Sequence, residues 1–408
     1  MDSRRIVVVG GGAAGIFAAI AGAETLPGTE VTVLEQSPQL LAKVRISGGG
    51  RCNVTHACFD PRQFATHYPR GSKELIGPFH QFSASDTVAW FAARGVRLKT
   101  ENDGRMFPAT DASQTIIDCL LDAATAVGVK LRMNCRLAAV RRAGSEFEIS
   151  LASGEKLGCD RLLLASGGCR AAVMGQIAVS LGHTLVAPVP SLFTFHIETG
   201  WLNELAGVSV VSAEVSVPGA NLSQRGPVLV THSGLSGPAI LRLSAWGARK
   251  LNALNYHFPL VVNWLPAFTL EDTSRAFQAR RESQGAKLVA NAPLPPLPMR
   301  LWEALVNAAG LSRETRWAKL TSSQQQQLVR QLTRTELTVT GKSLNKEEFV
   351  TCGGVQLAEV NFRTMESRLC PGLYFAGELL DIDGLTGGFN FQAAWTTGWI
   401  AGHAMTAT

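Results

Sequence analysis

The sequence contains no apolar run long enough to span a bilayer and no Cys-x-x-Cys pair. The first absence argues against an integral membrane protein. The eight cysteines are scattered, at positions 52, 58, 119, 135, 159, 169, 352 and 370. Their spacing suits neither a zinc site nor the disulfide framework of a secreted domain. We therefore expect buried, reduced thiols and no metal site.

The composition is that of an ordinary globular protein. Hydrophobic residues make up 46% and charged residues 17% of 408 residues, enough chain for two or three domains with filled cores. The N-terminal region has two arginines followed by an apolar run, as a signal peptide would, but no convincing cleavage site follows. We expect a cytoplasmic protein.

Residues 5–36 predict a strand–helix–strand unit that binds a dinucleotide. Buried strands are expected at 6–9 and 31–34, with a helix of small residues between them. The turn into that helix follows the pattern G-x-G-x-x-G, formed by Gly10, Gly12 and Gly15, with Ala14 inside it. The glycines allow a tight turn, close approach of a pyrophosphate and close helix–strand packing.

Glu35 ends the second predicted strand, 20 residues after Gly15. A carboxylate at this position can accept hydrogen bonds from ribose hydroxyls, and it would repel a 2′-phosphate. The helix N-terminus offers N–H groups and a positive dipole end to the phosphates. An N-terminal unit of this kind is typical of FAD-dependent enzymes. The alternative is a tight turn without a ligand.

The stretch ISGGGRCNVTH at 46–56 is predicted to be a flavin and phosphate clamp. Its glycines, Gly48–Gly50, can present N–H groups without side chains in the way. Arg51 can pair with pyrophosphate oxygens, and Asn53 can hydrogen-bond to the edge of a flavin ring. A metal site lacks ligands here. A redox disulfide of Cys52 with Cys58 is a further alternative; we expect instead that Cys52 packs near the cofactor.

The rest of the chain predicts an α/β fold with a discontinuous first domain. Helical spacing occurs at 83–95 and 113–127, a three-stranded meander at 136–160, and a buried strand at 161–168. Val140 in the meander is expected near the adenine. The FAD-binding domain is expected to comprise 1–187 and 346–408. An insert at 188–345 divides into a β lobe (188–269 and 335–345), expected to resemble a barrel, and a helical lobe (270–334).

The C-terminal region is predicted to complete the flavin site. A strand at 372–376 leads into Gly377 and Glu378, and the acid is expected to hold the ribityl chain. A second glycine turn then begins the last helix, whose N-terminus would face the pyrimidine edge of the flavin. The predicted ring contacts there are Gly387, Gly388, Phe389 and Asn390. The alternative is a capped C-terminal helix.

Several motifs together resemble the BaiN/RdsA family of flavoproteins, also called YhiN-like or aminoacetone-oxidase-like. They are KVRISGGGRCNVTH (43–56), THSGLSGPAIL (231–241), TCGGV (351–355), RTMES (363–367) and the stretch 372–402. The family resemblance adds Lys43 and Ser47 to the expected cofactor residues, which already include Gly48 and Gly49. The segment LLAKV at 40–44 departs from the family pattern, because Lys43 is the only matching base in it.

The resemblance implies a glutathione-reductase-like FAD domain, an insert of two lobes, and reduction of C=C bonds. One branch of the family is linked to a bile-acid Δ4-reductive step, and another makes dihydrouridine in large-subunit ribosomal RNA. The sequence holds no second G-x-G-x-x-G, so NADH or NADPH is expected to dock transiently as electron donor. The candidate proton donors are His232 and Cys352, whose loops are expected to approach the flavin.

The positive charge is concentrated in one segment. Residues 270–346 hold eight Arg and four Lys against six Asp or Glu, which equals the net charge of +6 of the whole chain. This asymmetry suggests an acidic partner, with nucleic acid the leading type; the alternative is a solvated helical surface. The family resemblance implies that the nucleic acid is ribosomal RNA. The predicted phosphate contacts are Arg280, Arg281, Arg313, Arg316 and Lys319.

Other functions remain open at this point. A small-molecule ene-reductase or an amine oxidase would use the same flavin. A non-catalytic protein resembling GDP-dissociation inhibitors could keep the fold and lose the flavin. A flavin-dependent tRNA-methylating enzyme is a further alternative.

Overall fold

The computed structural model describes residues 4–168, 172–343 and 350–407. The chain forms two compact units, the first of Met1–Pro190 with Lys346–Thr408 and the second of Ser191–Asn345. No helix of the described residues is long and apolar enough to cross a membrane.

The secondary structure elements are numbered along the chain. The strands are β1 (Arg5–Val9), β2 (Glu30–Leu34), β3 (Thr55–His56), β4 (Leu98–Thr100), β5 (Arg105–Pro108), β6 (Lys130–Arg132), β7 (Leu137–Ala143), β8 (Glu146–Leu151), β9 (Lys156–Cys159), β10 (Arg161–Leu164), β11 (Leu185–Ser191), β12 (Thr194–His196), β13 (Ser209–Val217), β14 (Leu222–Thr231), β15 (Gly234–Ser236), β16 (Phe258–Asn263), β17 (Thr335–Val339), β18 (Gly341–Ser343), β19 (Val350–Val355), β20 (Val360–Asn361), β21 (Glu366–Ser367) and β22 (Leu373–Phe375). The α-helices are α1 (Ala13–Thr25), α2 (Ala42–Gly50), α3 (Pro61–Ala65), α4 (Ile76–Gln81), α5 (Ala84–Ala92), α6 (Ser113–Ala126), α7 (Ala172–Ser180), α8 (Gly200–Asn203), α9 (Pro238–Trp246), α10 (Ala248–Ala253), α11 (Leu270–Gln284), α12 (Met299–Ala308), α13 (Ser322–Thr333) and α14 (Phe389–Thr406).

The first unit contains a seven-stranded sheet in the order β20-β21-β22-β10-β1-β2-β6. The strands from β22 to β6 run parallel. Their buried Val, Ile and Leu residues explain the near-continuous apolar runs in the sequence. The predicted Rossmann-type α/β fold is confirmed, and β7–β9 form the predicted antiparallel meander.

Helices α1 and α14 pack against each other at glycines. A Cβ atom on Gly398 would lie 2.5 Å from the carbonyl oxygen of Ala14, and one on Gly402 would lie 2.4 Å from that of Ala18. Because α14 is buried on most sides, it has almost no polar face. The contact between the two helices is therefore close enough that only glycine fits at these positions.

The second unit contains an antiparallel sheet in the order β17-β16-β13-β14-β15-β12-β18. Only Thr340 separates β17 from β18, so one nearly continuous strand pairs with β16 by its first part and with β12 by its second. The sheet is thereby curled into a barrel-like form, as expected. The helices α11–α13 share one hydrophobic core with this sheet.

We predict that Gly402→Ala destabilises the protein by about 1–3 kcal/mol, because the added methyl group clashes with backbone in a packed interior. Gly77→Ala in α4 is the matched control, since its Cβ atom would meet nothing within 4 Å. That control should be neutral or slightly stabilising. Urea unfolding of both variants checks this, and equal midpoints would contradict the packing described above.

Candidate functional site

The carboxyl ends of four parallel strands meet at one edge of the central sheet. The register places Val9 of β1 beside Leu34 of β2 and Leu164 of β10. It also places Leu164 beside Phe375 of β22. The segments that follow these strands therefore lie side by side. In open α/β sheets, ligands bind at this edge.

The first glycine turn lies at this edge and has the geometry that a dinucleotide needs. Gly10 has a φ of +113°, and a Cβ atom there would lie 2.4 Å from the carbonyl oxygen of Ala165. A Cβ atom on Gly15 would lie 1.9 Å from the carbonyl oxygen of Gly10. Gly12, in contrast, faces open space, and α1 begins there without a side-chain cap. Its first N–H groups are therefore available to an anion.

Glu35 follows β2 and is held in place by backbone hydrogen bonds. Its Oε2 accepts from the N–H of Gly11 at 2.7 Å, and its Oε1 accepts from the N–H of Ser37 at 2.8 Å. A carboxylate has about four acceptor positions, so both oxygens can accept a further bond. The role of Glu35 toward ribose hydroxyls stays a prediction.

The expected position of Val140 beside the adenine is wrong. Val140 lies within β7, opposite Ile149, and its side chain is buried in the meander. The segment beside Glu35 comes earlier in the chain, because β6 runs parallel to β2 and ends at the same edge. The N–H of Cys135 donates to the carbonyl of Glu35 at 2.7 Å. The signal that sequence reasoning missed is the short segment 133–136, which links β6 to β7.

The three glycines of the clamp all adopt left-handed backbone conformations. Their φ angles are +58° at Gly48, +69° at Gly49 and +84° at Gly50. Three consecutive residues of this kind are costly for any residue but glycine. Cβ atoms on Gly49 and Gly50 would meet nothing, while one on Gly48 would press on the ring of Phe107. The turn therefore presents bare backbone to open space.

Three neighbours of these glycines make contacts within the protein, and their predicted roles toward the cofactor stay predictions. The guanidinium of Arg51 stacks on Phe107 and pairs with Glu101 at 2.6 Å. The hydroxyl of Ser47 donates to the carbonyl of Val44. Cys52 is fully buried, and burial raises the pKa of its thiol to about 12.

Neither Cys52 nor Cys58 forms a disulfide. Both thiols are free, so nothing in this structure supports the redox-disulfide alternative. Cys169 lies outside the described residues. Among the residues described, no group of three His, Cys, Asp or Glu side chains is placed to hold a metal ion.

Lys43 and Glu378 meet although 335 residues separate them in sequence. The Nζ of Lys43 donates to Oε2 of Glu378 at 2.6 Å, and the N–H of Thr351 donates to Oε1 at 2.8 Å. Glu378 directly follows Gly377, which has a φ of +69°. The carboxylate is thus fixed at the end of β22. Its predicted contact with the ribityl chain is compatible with that position.

The second glycine turn places the N-terminus of α14 against β3. Gly387 and Gly388 have positive φ angles, and a Cβ atom on Gly388 would lie 2.4 Å from the carbonyl oxygen of Thr55. Asn53 links the two segments: its amide donates to the carbonyl of Thr55 and accepts from the N–H of Gly388. Asn53 therefore holds the turn, and its contact with the flavin ring stays a prediction.

Phe389 and Asn390 also hold the turn, and their contacts with the flavin ring stay predictions. The ring of Phe389 is buried and stacks on His67, with centroids 4.3 Å apart, and on His56. The side chain of Asn390 accepts from the N–H of Gly384 and donates to its carbonyl. Burial lowers the pKa of His56, whose Nδ1 lies 3.1 Å from the carbonyl oxygen of Gly387.

A buried ion pair anchors the same turn. Asp383 is fully buried and pairs with Arg70, and the two residues also form an isolated antiparallel bridge. The hydroxyl of Tyr68 donates to the carbonyl of Phe389. Since a buried charge is tolerated only when paired, Arg70 and Asp383 fix the loop that ends in Gly387 and Gly388.

The two proton-donor candidates differ in accessibility. Cys352 lies within β19 and has no solvent exposure, so its predicted role as a donor to substrate is wrong. His232 is exposed at the turn between β14 and β15, in the second unit. It stays a candidate.

Most of the predicted phosphate contacts are engaged within the helical lobe. Arg280 donates to the carbonyls of Ala292 and Pro293, and Arg281 donates to that of Leu320. Arg316 likewise donates to the carbonyl of Ala286, and Arg313 pairs with Glu303 at 3.3 Å. Lys319 is exposed to solvent. Arg280 and Arg281 thus stabilise the backbone of the lobe itself, and their contacts with phosphate stay a prediction.

The residues at the carboxyl edge fit a flavin dinucleotide. The hydroxyl of Ser166, next to Gly10 at that edge, is buried and makes no hydrogen bond within the described residues. Gly12 and Gly49 leave space for a ligand, and the N-termini of α1 and α14 carry no side-chain cap. Phosphate at α1 and an electron-rich ring edge at α14 suit these groups.

Comparison with known proteins shows similarity over nearly the whole chain. The model of the HI0933-like protein Rossmann domain matches residues 4–404. A ribosomal RNA dihydrouridine synthase of Escherichia coli is 31% identical, over 100% of this chain and 99% of that protein. A 3-dehydro-bile acid delta(4,6)-reductase of Clostridium scindens is 29% identical, over 98% of both chains.

A solved structure shares the fold. A 3-ketosteroid-delta4-(5alpha)-dehydrogenase from Rhodococcus jostii RHA1 superposes with a TM-score of 0.53. It is 14% identical and covers 99% of this chain and 97% of its own. At this identity the likeness supports the fold alone.

We predict that Gly12→Val yields a folded protein whose FAD content is reduced about tenfold or more, because the side chain would occupy the space of the pyrophosphate. Gly77→Val is the matched control, since that position also faces open space. Visible absorbance of the purified proteins measures bound flavin, and thermal unfolding measures the fold. Normal flavin content in Gly12→Val would show that this turn does not bind the cofactor.

Proposed function

Because the chain belongs to the HI0933-like Rossmann family, we propose that it reduces uridine to dihydrouridine in large-subunit ribosomal RNA. It is an FAD-dependent oxidoreductase. The observation that carries the proposal is an open glycine turn with an uncapped helix N-terminus, in a chain that aligns end to end with a ribosomal RNA dihydrouridine synthase. We infer the uridine substrate from that alignment and from the chemistry of the uracil ring.

The chemistry suits a uracil ring. Its C5=C6 bond is conjugated to the C4 carbonyl, so hydride adds at C6 and a proton at C5. FAD, when bound, supplies the hydride. Gly10, Gly12 and Glu35 would hold the dinucleotide, and Glu378 the ribityl chain. The N-terminus of α14 would stabilise negative charge at the pyrimidine edge. The target base must leave its stack to reach such a crevice.

The proton and the electrons need further groups. We propose His232 as the proton donor, because it is the exposed member of the two candidates. NADH or NADPH would dock transiently and supply the electrons. The second candidate function is reduction of a small unsaturated molecule, which the similarity to the bile-acid reductase favours.

Nucleoside mass spectrometry of ribosomal RNA tests the substrate class. Deleting the gene should remove dihydrouridine from large-subunit RNA. The intact gene should restore it, and the Gly12→Val variant should not. If dihydrouridine is unchanged by the deletion, the small-molecule function becomes the better account and the RNA proposal fails.

We predict that His232→Asn slows dihydrouridine formation by about 10²- to 10⁴-fold, because proton transfer to C5 loses its donor. Flavin content should be unchanged. His257→Asn is the matched control, an exposed histidine in the same unit. A single-turnover assay of the chemically reduced proteins with RNA measures the rates, and equal rates for the two variants would remove His232 from the mechanism.

A further inference from the structure

Reduction of a conjugated C=C bond needs a hydrogen-bond donor at the carbonyl oxygen. When hydride adds to C6 of a uracil ring, the electrons of the C5=C6 bond shift toward C4, and negative charge collects on O4. A donor fixed at O4 stabilises this charge more than it stabilises the neutral ring. The proposed function has a proton donor for C5, His232, but no group for O4. Since C5 and O4 are only two bonds apart, the missing donor must lie close to His232.

His196 lies beside the turn that carries His232. Strands β12 and β15 pair antiparallel, and their register places His196 opposite Gly234, two residues after His232. The N–H of Ile197 donates to the carbonyl of Ser233 at 2.9 Å. The residues that directly follow the two histidines in the chain are thus hydrogen-bonded to each other. The backbones of the two histidines are therefore neighbours.

Gly234 keeps this turn close to β12. It has a φ of +145°, a conformation that favours glycine. A Cβ atom there would lie 2.2 Å from the carbonyl oxygen of Phe195 and 2.8 Å from the backbone nitrogen of Ile197. These two backbone atoms stand on either side of His196 in the chain. A larger residue at 234 would therefore push the turn away from His196.

The imidazole of His196 is accessible. Phe195 lies in the hydrophobic core of the second unit, so the side chain of His196 is on the opposite face of β12. This side chain is 37% exposed. On the other neighbouring strand, Gly341 stands opposite His196, and a Cβ atom there would meet only the Cβ of His196, at 3.8 Å. No side chain from that position covers the ring.

The hydrogen bond of His196 leaves its Nε2 available as a donor. Its Nδ1 lies 3.1 Å from the hydroxyl oxygen of Thr340. In a neutral imidazole, a hydroxyl that donates to Nδ1 leaves the ring proton on Nε2. The carboxylate of Glu198, 3.9 Å from Nδ1, is too distant for a hydrogen bond. Within the described residues, no hydrogen bond involves Nε2 of His196.

We propose that His196 is a catalytic residue whose Nε2–H donates a hydrogen bond to O4 of the target uracil. This rests on the proposed function and deepens it by assigning the substrate atom that the side chain recognises. Hydride forms the new C6–H bond, the C5=C6 electron pair becomes the C4=C5 bond of an enolate, and the C4=O pair moves to O4. A proton from His232 then forms the C5–H bond and restores the carbonyl. His196 keeps its own proton throughout.

Single-turnover kinetics of the chemically reduced flavoprotein test this, with ribosomal RNA from cells that lack the gene as substrate. His196→Leu should slow dihydrouridine formation about 10²- to 10³-fold, the cost of removing one donor from a developing oxyanion. His196→Gln should recover about tenfold of that loss, because its amide can donate. RNA affinity should be unchanged, since the bond strengthens only as charge develops. His257→Leu, at an exposed histidine of the same unit, is the matched control and should react at the wild-type rate.

Oxidation of the reduced proteins by ferricyanide is the second readout. Ferricyanide has no carbonyl group to activate, so it should oxidise the wild-type protein and all three variants at equal rates. Flavin content and melting temperature verify that each variant is folded.

Three outcomes overturn the inference, and they can be told apart. If the wild-type protein forms no dihydrouridine in this RNA, the proposed function fails and the role of His196 fails with it. If His196→Leu reacts as fast as His257→Leu, the inference fails and the proposed function survives. If His196→Gln is no faster than His196→Leu, or if ferricyanide oxidation or RNA affinity falls as much as the reaction with RNA, His196 has a structural or binding role instead.

Discussion

Close approach between backbones, at positions where only glycine fits, is the constraint on which the candidate site depends. Gly10 lies against the carbonyl of Ala165, Gly15 against that of Gly10, and Gly398 against that of Ala14. Helix α1 is thereby held between the sheet and α14. Its uncapped N-terminus is fixed at the carboxyl edge of β1, where Glu35 and Glu378 also lie. A side chain at any of these contacts would displace the helix whose dipole the phosphates need.

The turn before α14 also shows a division between residues that hold the loop in place and residues that could contact a ligand. Around the turn before α14, Asn53, Asn390 and the Arg70–Asp383 pair direct their hydrogen bonds to the loop itself. The bare glycines are left to face a ligand. Preorganised sites commonly work in this way, because a rigid loop loses little entropy when it binds.

The glycine pattern predicted the first turn and helix correctly, because a positive φ and a close contact are properties of the residue itself. Roles that depend on a distant partner could not be predicted. Arg51 pairs with Glu101, 50 residues away, and Phe389 stacks on His67, far away in the sequence. Val140 was misplaced because the stagger of β6 and β7 is set by tertiary pairing. The count of charged residues identified a basic segment. It could not show that arginines of this segment donate to backbone carbonyls within the helical lobe.

The central claim is that the carboxyl edge of the sheet holds FAD. Heat denaturation of the purified protein, followed by mass spectrometry of the released small molecules, tests it most directly. The account predicts FAD, at about one molecule per chain. Release of FMN or NAD alone, or of no nucleotide from a protein that still reduces its substrate, would contradict it.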